Sequence, residues 1–366
     1  MPVLSVLGRR TIALLAVAVV AVVVSATLVL SGAPGVFTFG ATAVALAVLA
    51  TLVGEGTDQL GAHLSPAATG ILQSALGNLP ELFIAIFSLR AGLVVVVQSA
   101  LIGSILANSL LVLGIAFVVG GLRHGTQRFE GANVRAIAVL LLLSVAALVI
   151  PTLATAPGAP DAGHASELSI IVSIVLLVVF AASVPYAVRN GNTGATARGA
   201  AEVESGQQVW PLILALGVLA VSALTSAFVA DWFVEALRPT MATLGMSEAF
   251  AGLVVVAIAG NAVENVVGVT AAARNQAELA VSLILNSSLQ VALALTPALV
   301  LLSIIIGGAP LTLVVSPLLA GAVAFSALLT VVVVFDGESN WLEGLALIGL
   351  YVITAASVWW GPAIGA

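Results

Sequence analysis

Gly77-Asn78-Leu79-Pro80-Glu81 and Gly260-Asn261-Ala262-Val263-Glu264 share one pattern, G-N-x-x-E, set 183 residues apart inside apolar runs. Twenty-two residues beyond Glu81 begins Gly103-Ser104-Ile105-Leu106-Ala107-Asn108, and 22 beyond Glu264 begins Asn286-Ser287-Ser288-Leu289-Gln290. Chance can supply one such pair. A second polar cluster at the same offset marks an internal repeat.

The surroundings of these motifs set the class of protein. Of 366 residues, 61% are hydrophobic and 7% charged, against about 45–50% and about 25% in soluble domains; mean hydropathy is +1.25. So little polar surface excludes a water-soluble globule, a disordered chain, a basic nucleic-acid-binding surface and an outer-membrane barrel with alternating strands. A hydrocarbon core of about 30 Å needs about 20 helical residues. Eleven segments qualify, near 11–30, 36–53, 69–89, 93–119, 134–151, 168–188, 210–229, 249–272, 277–303, 310–334 and 342–360. The first lacks a convincing cleavage site and reads as a retained helix.

With the N-terminus inside, the inner loops collect Arg9, Arg10, Arg123, Arg128, Arg135, Arg189, Arg198 and Arg274, leaving Arg90 and Arg238 outside. That bias supports an odd number of spans. The expected fold is an all-α membrane protein: an extra N-terminal helix (1–35), a first five-helix repeat (36–188), a polar cytoplasmic linker (189–208) and a second repeat (209–366). Five is odd, so the two repeats enter the membrane in opposite directions, an architecture that places substrate sites near the midplane.

An ionised carboxylate at mid-bilayer costs at least about 2.5–3.5 kcal/mol on insertion scales, so Glu81 and Glu264 are functional candidates by default. Asn78 and Asn261 precede them by three residues, on the same helix face. Ser104 and Asn108 are four apart, and Ser287, Ser288 and Gln290 serve the partner repeat. Pro80 removes a backbone donor and frees the carbonyl of Leu76 as a further oxygen. Carboxylates, amides, hydroxyls and carbonyls suit a hard cation; calcium takes 6–8 oxygens. Two glutamates neutralise one divalent ion. Empty and doubly ionised, they would repel each other in a low dielectric, so the stable occupants are one divalent cation or one to two protons. That mutual exclusion is the chemistry of exchange.

Other polar residues carry less. Glu55, Asp58, Asp231 and Glu235 follow spans 2 and 7; they either draw cations to the two mouths or are solvated helix ends. Gln98, inside span 4, is a gate or a packing residue. There are no cysteines, and His63, His124 and His164 stand outside the most apolar stretches. No cofactor is expected; the expected partners are inorganic cations and the lipid bilayer, with no nucleic acid, and nothing fixes an oligomeric state. A channel would not need an exclusive paired-acid site. A membrane enzyme would need a catalytic motif, and H-E-x-x-H, a nucleophile elbow and a cofactor loop are all absent.

The paired motifs resemble those of the cation/proton exchangers of the calcium/cation antiporter superfamily. That family usually reads close to G-N-A-T-E-L, where this chain has GNLPEL from Gly77 to Leu82. The family's next helix resembles VQSALIGSILANSLLVLG, Val97 to Gly114. Its second repeat, close to G-N-A-A-E-H and then G-S-S-L-Q, is matched by GNAVEN (Gly260 to Asn265) and NSSLQ (Asn286 to Gln290). Pro80, Ala107, Asn265 and Asn286 depart from the usual threonine, serine, histidine and glycine. The resemblance implies exchange of calcium, or another cation including sodium, for protons by alternating access. It assigns Glu81 and Glu264 as the cation and proton ligands, with Asn78, Asn261, Ser104, Asn108, Ser287, Ser288 and Gln290 around them.

Overall fold

A computed structural model of the chain describes residues 7–65, 68–69, 72–73, 76–129, 132–159, 161–189, 209–306 and 310–360. Helices dominate them: α1 (Arg9–Leu30), α2 (Gly35–Gly61), α3 (Leu79–Arg90), α4 (Val94–Leu106), the π-helical turn π1 (Ala107–Val112), α5 (Leu113–His124), α6 (Ala132–Ala154) and α7 (Ala165–Arg189). Then come α8 (Leu212–Leu244), α9 (Glu248–Phe250), π2 (Ala251–Val256), α10 (Ala257–Gly260), α11 (Ala262–Ala273), α12 (Ala277–Gln290), π3 (Val291–Leu295), α13 (Thr296–Ile306), α14 (Pro317–Val334) and α15 (Trp341–Trp359). Two short strands, β1 (Gln127–Arg128) and β2 (Glu338–Ser339), pair antiparallel, with Gln127 opposite Ser339.

Among the described residues nine helices are long and apolar enough to cross a membrane, ten if the bent run Glu248–Gly260 and Asn265–Ala273 is one span. These ten correspond to ten of the eleven expected segments. The third, 69–89, lies partly outside the described residues and is represented by α3. The linker expected at 189–208 also lies outside them, apart from Arg189, which closes α7.

Three boundaries differ from expectation. Helix α2 continues to Gly61 and α8 to Leu244, so Glu55, Asp58, Asp231 and Glu235 stand within helices rather than after them. Hydropathy falls where a span leaves the hydrocarbon, but nothing there breaks the helix, and Pro239 is accommodated inside α8. Residues 310–316, expected to begin span 10, are not helical. Pro310 and Pro317 bracket them, and the residue before a proline is pushed out of the α region; Ser316 is extended (φ −60°, ψ 144°) and its hydroxyl caps α14.

The chain packs as two units, Met1–Ala91 with Ser183–Gly245, and Gly92–Ala182 with Met246–Ala366. In the first, α2 lies along α8, where Gly56 meets the backbone of Leu219 and Phe39 stacks on Phe233 at 4.6 Å. The backbone N–H of Trp210 donates to Gln59 Oε1 (2.8 Å) and His63 Nε2 donates to the Trp210 carbonyl (2.8 Å), fixing the approach to α8 against the end of α2. Helix α1 packs on α2 and turns most of its valines outward, as a lipid-facing helix does.

In the second unit, α4 crosses π2 and α5 crosses α15 at glycines: Gly103 faces the backbone of Leu253, Gly252 that of Val96, and Gly114 and Gly344 face each other's carbonyls. Small residues at crossings let helix backbones touch, the usual way to associate helices in lipid.

Residues 310–316 belong to this unit, and four helices satisfy their backbone. The N–H groups of Leu311, Leu313 and Val315 donate to Ser303 (2.9 Å), Ser169 (3.0 Å) and Thr152 (3.1 Å). Gln98 Nε2 donates to the carbonyls of Thr312 and Val314, both at 2.9 Å. Non-helical backbone in such a protein must find partners of this kind. Replacing Gln98 by leucine strands two carbonyls, each costing about 1–3 kcal/mol. The expected result is a clearly lower melting temperature in detergent; an unchanged melt would mean that water replaces the amide.

Candidate functional site

The two G-N-x-x-E motifs fold alike. Asn78 (φ −99°, ψ 21°) and Asn261 (φ −92°, ψ 18°) both leave the helical region. Each precedes a 12-residue helix, α3 and α11, and the glutamate is its third residue. Pro80 therefore stands in the first turn, where its missing N–H has no helical acceptor to lose. A carboxylate in the first turn also faces the positive end of the helix dipole.

The likeness continues along the chain. α3 ends at Arg90 and α11 at Ala273; the next turns use Gly92 at φ 75° and Asn275 at φ 62°; α4 and α12 begin at Val94 and Ala277; and π1 and π3 close at Val112 and Leu295. Every one of these pairs is 183 residues apart. Asn275 is the one non-glycine at positive φ among the described residues, a conformation asparagine tolerates.

Asn78 is buried and Glu81 half-buried, both in the first unit. Only the backbone of Glu264 is described; its side chain lies outside the described residues.

In the second unit Ser104, Asn108, Asn261 and Ser287 meet in one buried network. Asn261 Nδ2 donates to Ser104 Oγ (2.9 Å) and to the Ala257 carbonyl (2.9 Å). Asn108 Nδ2 donates to Asn261 Oδ1 and to Ser287 Oγ, both at 3.1 Å, and Ser287 Oγ lies 3.4 Å from Asn261 Oδ1. Ser104 and Asn108 both reach Asn261, as their four-residue spacing implies. Asn108 Oδ1 is buried without a hydrogen-bond partner among the described residues, leaving a carbonyl oxygen available to a cation. Ser288 pairs with Ser109 at 3.3 Å. Gln290 closes α12.

Ser109 was not singled out from the sequence. The signal was its place beside Asn108, and the π1 turn lets both face inward. Such turns recur at functional sites. Asn261→Ala would leave Ser104, Asn108 and Ser287 short of partners in a fully buried place. The expected result is a melting temperature several degrees lower, together with weakened cation binding, read by thermal unfolding with and without calcium.

The remaining candidates are placed elsewhere. Glu55 Oε1 accepts from Thr11 Oγ1 (2.8 Å) and Asp58 Oδ1 from Gln73 Nε2 (2.6 Å). Asp231 and Glu235 are exposed, one turn apart on α8. Gln98 Nε2 holds the segment 310–316 through the carbonyls of Thr312 and Val314.

A family model described as sodium/calcium exchanger protein matches residues 34–189 and 214–360. The chain is 31% identical over 340 residues to a Ca(2+)/H(+) antiporter of Aphanothece halophytica, covering 89% of this chain and 91% of the relative. It is 32% identical over 327 residues to the Ca(2+)/H(+) antiporter ChaA of Bacillus subtilis (strain 168), covering 88% and 92%. The solved structure of native YfkE superposes with a TM-score of 0.80 at 30% identity, over 94% of this chain and 99% of that one. Fold and relatives together define an integral membrane transporter, not an enzyme. The chain belongs to the sodium/calcium exchanger protein family, and its relatives place it with the cation/proton exchangers.

Proposed function

We propose that the protein is a secondary antiporter that exchanges calcium for protons by alternating access, with Glu81 and Glu264 as ligands of the cation or the protons near the membrane midplane. Asn78, Ser104, Asn108, Asn261, Ser287, Ser288 and Gln290 complete the oxygen environment. The setting is a prokaryotic inner membrane, with the N-terminus on the cytoplasmic side. The halves 36–188 and 209–366 act as inverted repeats.

The observation that carries this reading is the duplicated motif: an asparagine at a helix break, then a glutamate in the first turn, twice, at one fixed offset. About 30% identity to proteins named as calcium/proton antiporters supports the choice of ions. The logic is electrostatic. Two carboxylates loaded with one divalent ion, or with protons, are near neutral and can reorient; emptied, they are costly in a low dielectric. Binding of one ion therefore requires release of the other.

The test is uptake of radiolabelled calcium into proteoliposomes carrying an imposed pH gradient. Uptake that follows the gradient and vanishes when an ionophore collapses it is the expected result. Uptake driven instead by a sodium gradient would replace protons by sodium as the coupling ion, and no uptake under either gradient would remove calcium as the substrate.

A further inference from the structure

We infer that Gln127 and His124 are positioning residues that fix the depth of Glu264 in the membrane by clamping the far end of its helix. This rests on the reading of Glu264 as a cation ligand. Neither residue touches the ion: they act at the last turn of α11, and Glu264 is in its first.

The last carbonyls of any helix lack partners within it. In α11 the carbonyls of Ala272 and Ala273 accept from side chains of the first half of the sequence. Gln127 Nε2 donates to the Ala272 carbonyl (3.2 Å) and to Asn275 Oδ1 (3.0 Å). His124 Nε2 donates to the Ala273 carbonyl (3.0 Å), which requires the proton on Nε2. Gln127 is 3% exposed. Its seat is made for it: a Cβ at Gly120 would land on Gln127 Oε1.

The seat is itself held. Gln127 lies on β1, paired to β2; the N–H of Phe129 donates to the Gly337 carbonyl (2.8 Å); and Arg128 pairs with Glu338 (2.9 Å). The turn after α11 folds back on the helix, with the N–H of Gln276 on the Ala271 carbonyl and that of Asn275 on Ala272, both 3.0 Å.

At its other end α11 is preceded by Asn261, tied to Ser104 and Ala257. A rigid helix held at both ends cannot slide along its axis. A slip of one residue is about 1.5 Å, whereas metal–ligand distances tolerate about 0.2 Å. The clamp therefore decides whether the third residue of α11 stands at coordinating depth. The exposed Arg238, which donates to the Ala91 carbonyl beyond α3 at 2.7 Å, has no such buried seat.

The test uses the full chain. Gln127→Glu keeps the shape but sets an acceptor against the Ala272 carbonyl and Asn275; Gln127→Met removes the donor; His124→Gln retains one; His124→Leu does not. Calcium uptake is measured against free calcium at equal amounts of folded protein. Both Gln127 variants are expected to raise the half-saturating calcium about tenfold, as loss of a ligand-orienting partner does, with the maximal rate within about twofold. His124→Leu should follow in the same direction and His124→Gln should stay near wild type. A lower maximal rate and melting temperature at unchanged half-saturation would reduce the clamp to a stabilising cap and overturn the inference. Hydrogen exchange over 262–276 tests it without any substrate: Gln127→Glu should speed exchange at both ends of α11, and a change confined to 272–276 would also overturn it. If wild type takes up no calcium, the proposed function fails while the exchange result still decides the clamp.

Discussion

Glu81→Gln and Glu264→Gln are each expected to abolish gradient-driven calcium uptake. Each substitution keeps the size and one carbonyl oxygen of the side chain and removes its charge. The remaining carboxylate cannot neutralise a divalent ion, and the loaded form keeps a net positive charge in the membrane. Removing one partner from a buried charge pairing costs about 3–5 kcal/mol, which is roughly two to four orders of magnitude in binding. Initial rates should therefore fall to those of empty liposomes, while expression and melting temperature without calcium stay close to wild type, because each substitution takes a charge out of an apolar helix and adds none. Calcium should no longer raise the melting temperature of either variant. Uptake within a few-fold of wild type in one variant would mean that its glutamate is not a ligand; survival in both would move the site elsewhere.

Gly252→Val is expected to prevent accumulation of folded protein. A Cβ on Gly252 would press on the Val96 carbonyl, 2.8 Å from Ser99 Cβ and 2.9 Å from the Ala100 nitrogen. A Cβ on its counterpart Gly103 would lie 2.5 Å from Leu253 Cα and 2.8 Å from the Leu253 carbonyl carbon. The obstacles are mainly backbone, which cannot rotate away, so α4 and π2 would have to part. Overpacking usually costs about 1–3 kcal/mol where side chains can adjust, and here they cannot. Parting also separates Ser104, next to Gly103, from Asn261, breaking a 2.9 Å bond of the polar network. Gly252→Ala should retain some folded protein with a strongly lowered melting temperature and weakened calcium response. The control is Gly321→Ala: nothing lies within 4 Å of a Cβ there, so the variant should be neutral or up to about 1 kcal/mol more stable. Normal yields of Gly252→Val would show that the crossing is looser than the structure describes.

Much of the site was legible because its members are unusual where they stand. An asparagine, a serine or a glutamate in an apolar run is visible without any knowledge of its partners, and repetition at a fixed offset separates a working set from isolated packing residues. Asn261, Asn108, Ser104 and Ser287 were found this way, and they bond to one another. Ser109 escaped because it adds nothing to the repeat. Gln127, His124 and Asn275 escaped because they follow or join the spans, where polar residues are ordinary.

The sequence by itself determined that the chain is a bundle of membrane helices, where most of them run, and that two glutamates with their asparagines form a duplicated set. These are local properties: apolar length, residue type and spacing survive in any conformation. Tertiary structure alone decided the rest. Leu311, Leu313, Val314 and Val315 are as apolar as any span, yet they lie in a non-helical segment because Gln98, Thr152, Ser169 and Ser303, on four different helices, are there to receive its backbone. The units likewise each draw on both sides of the linker. Hydropathy records the preference of a residue for lipid over water. It holds no record of which distant side chain will satisfy a backbone group, or of which glycine will face which backbone, and those pairings set the geometry in which the motif residues work.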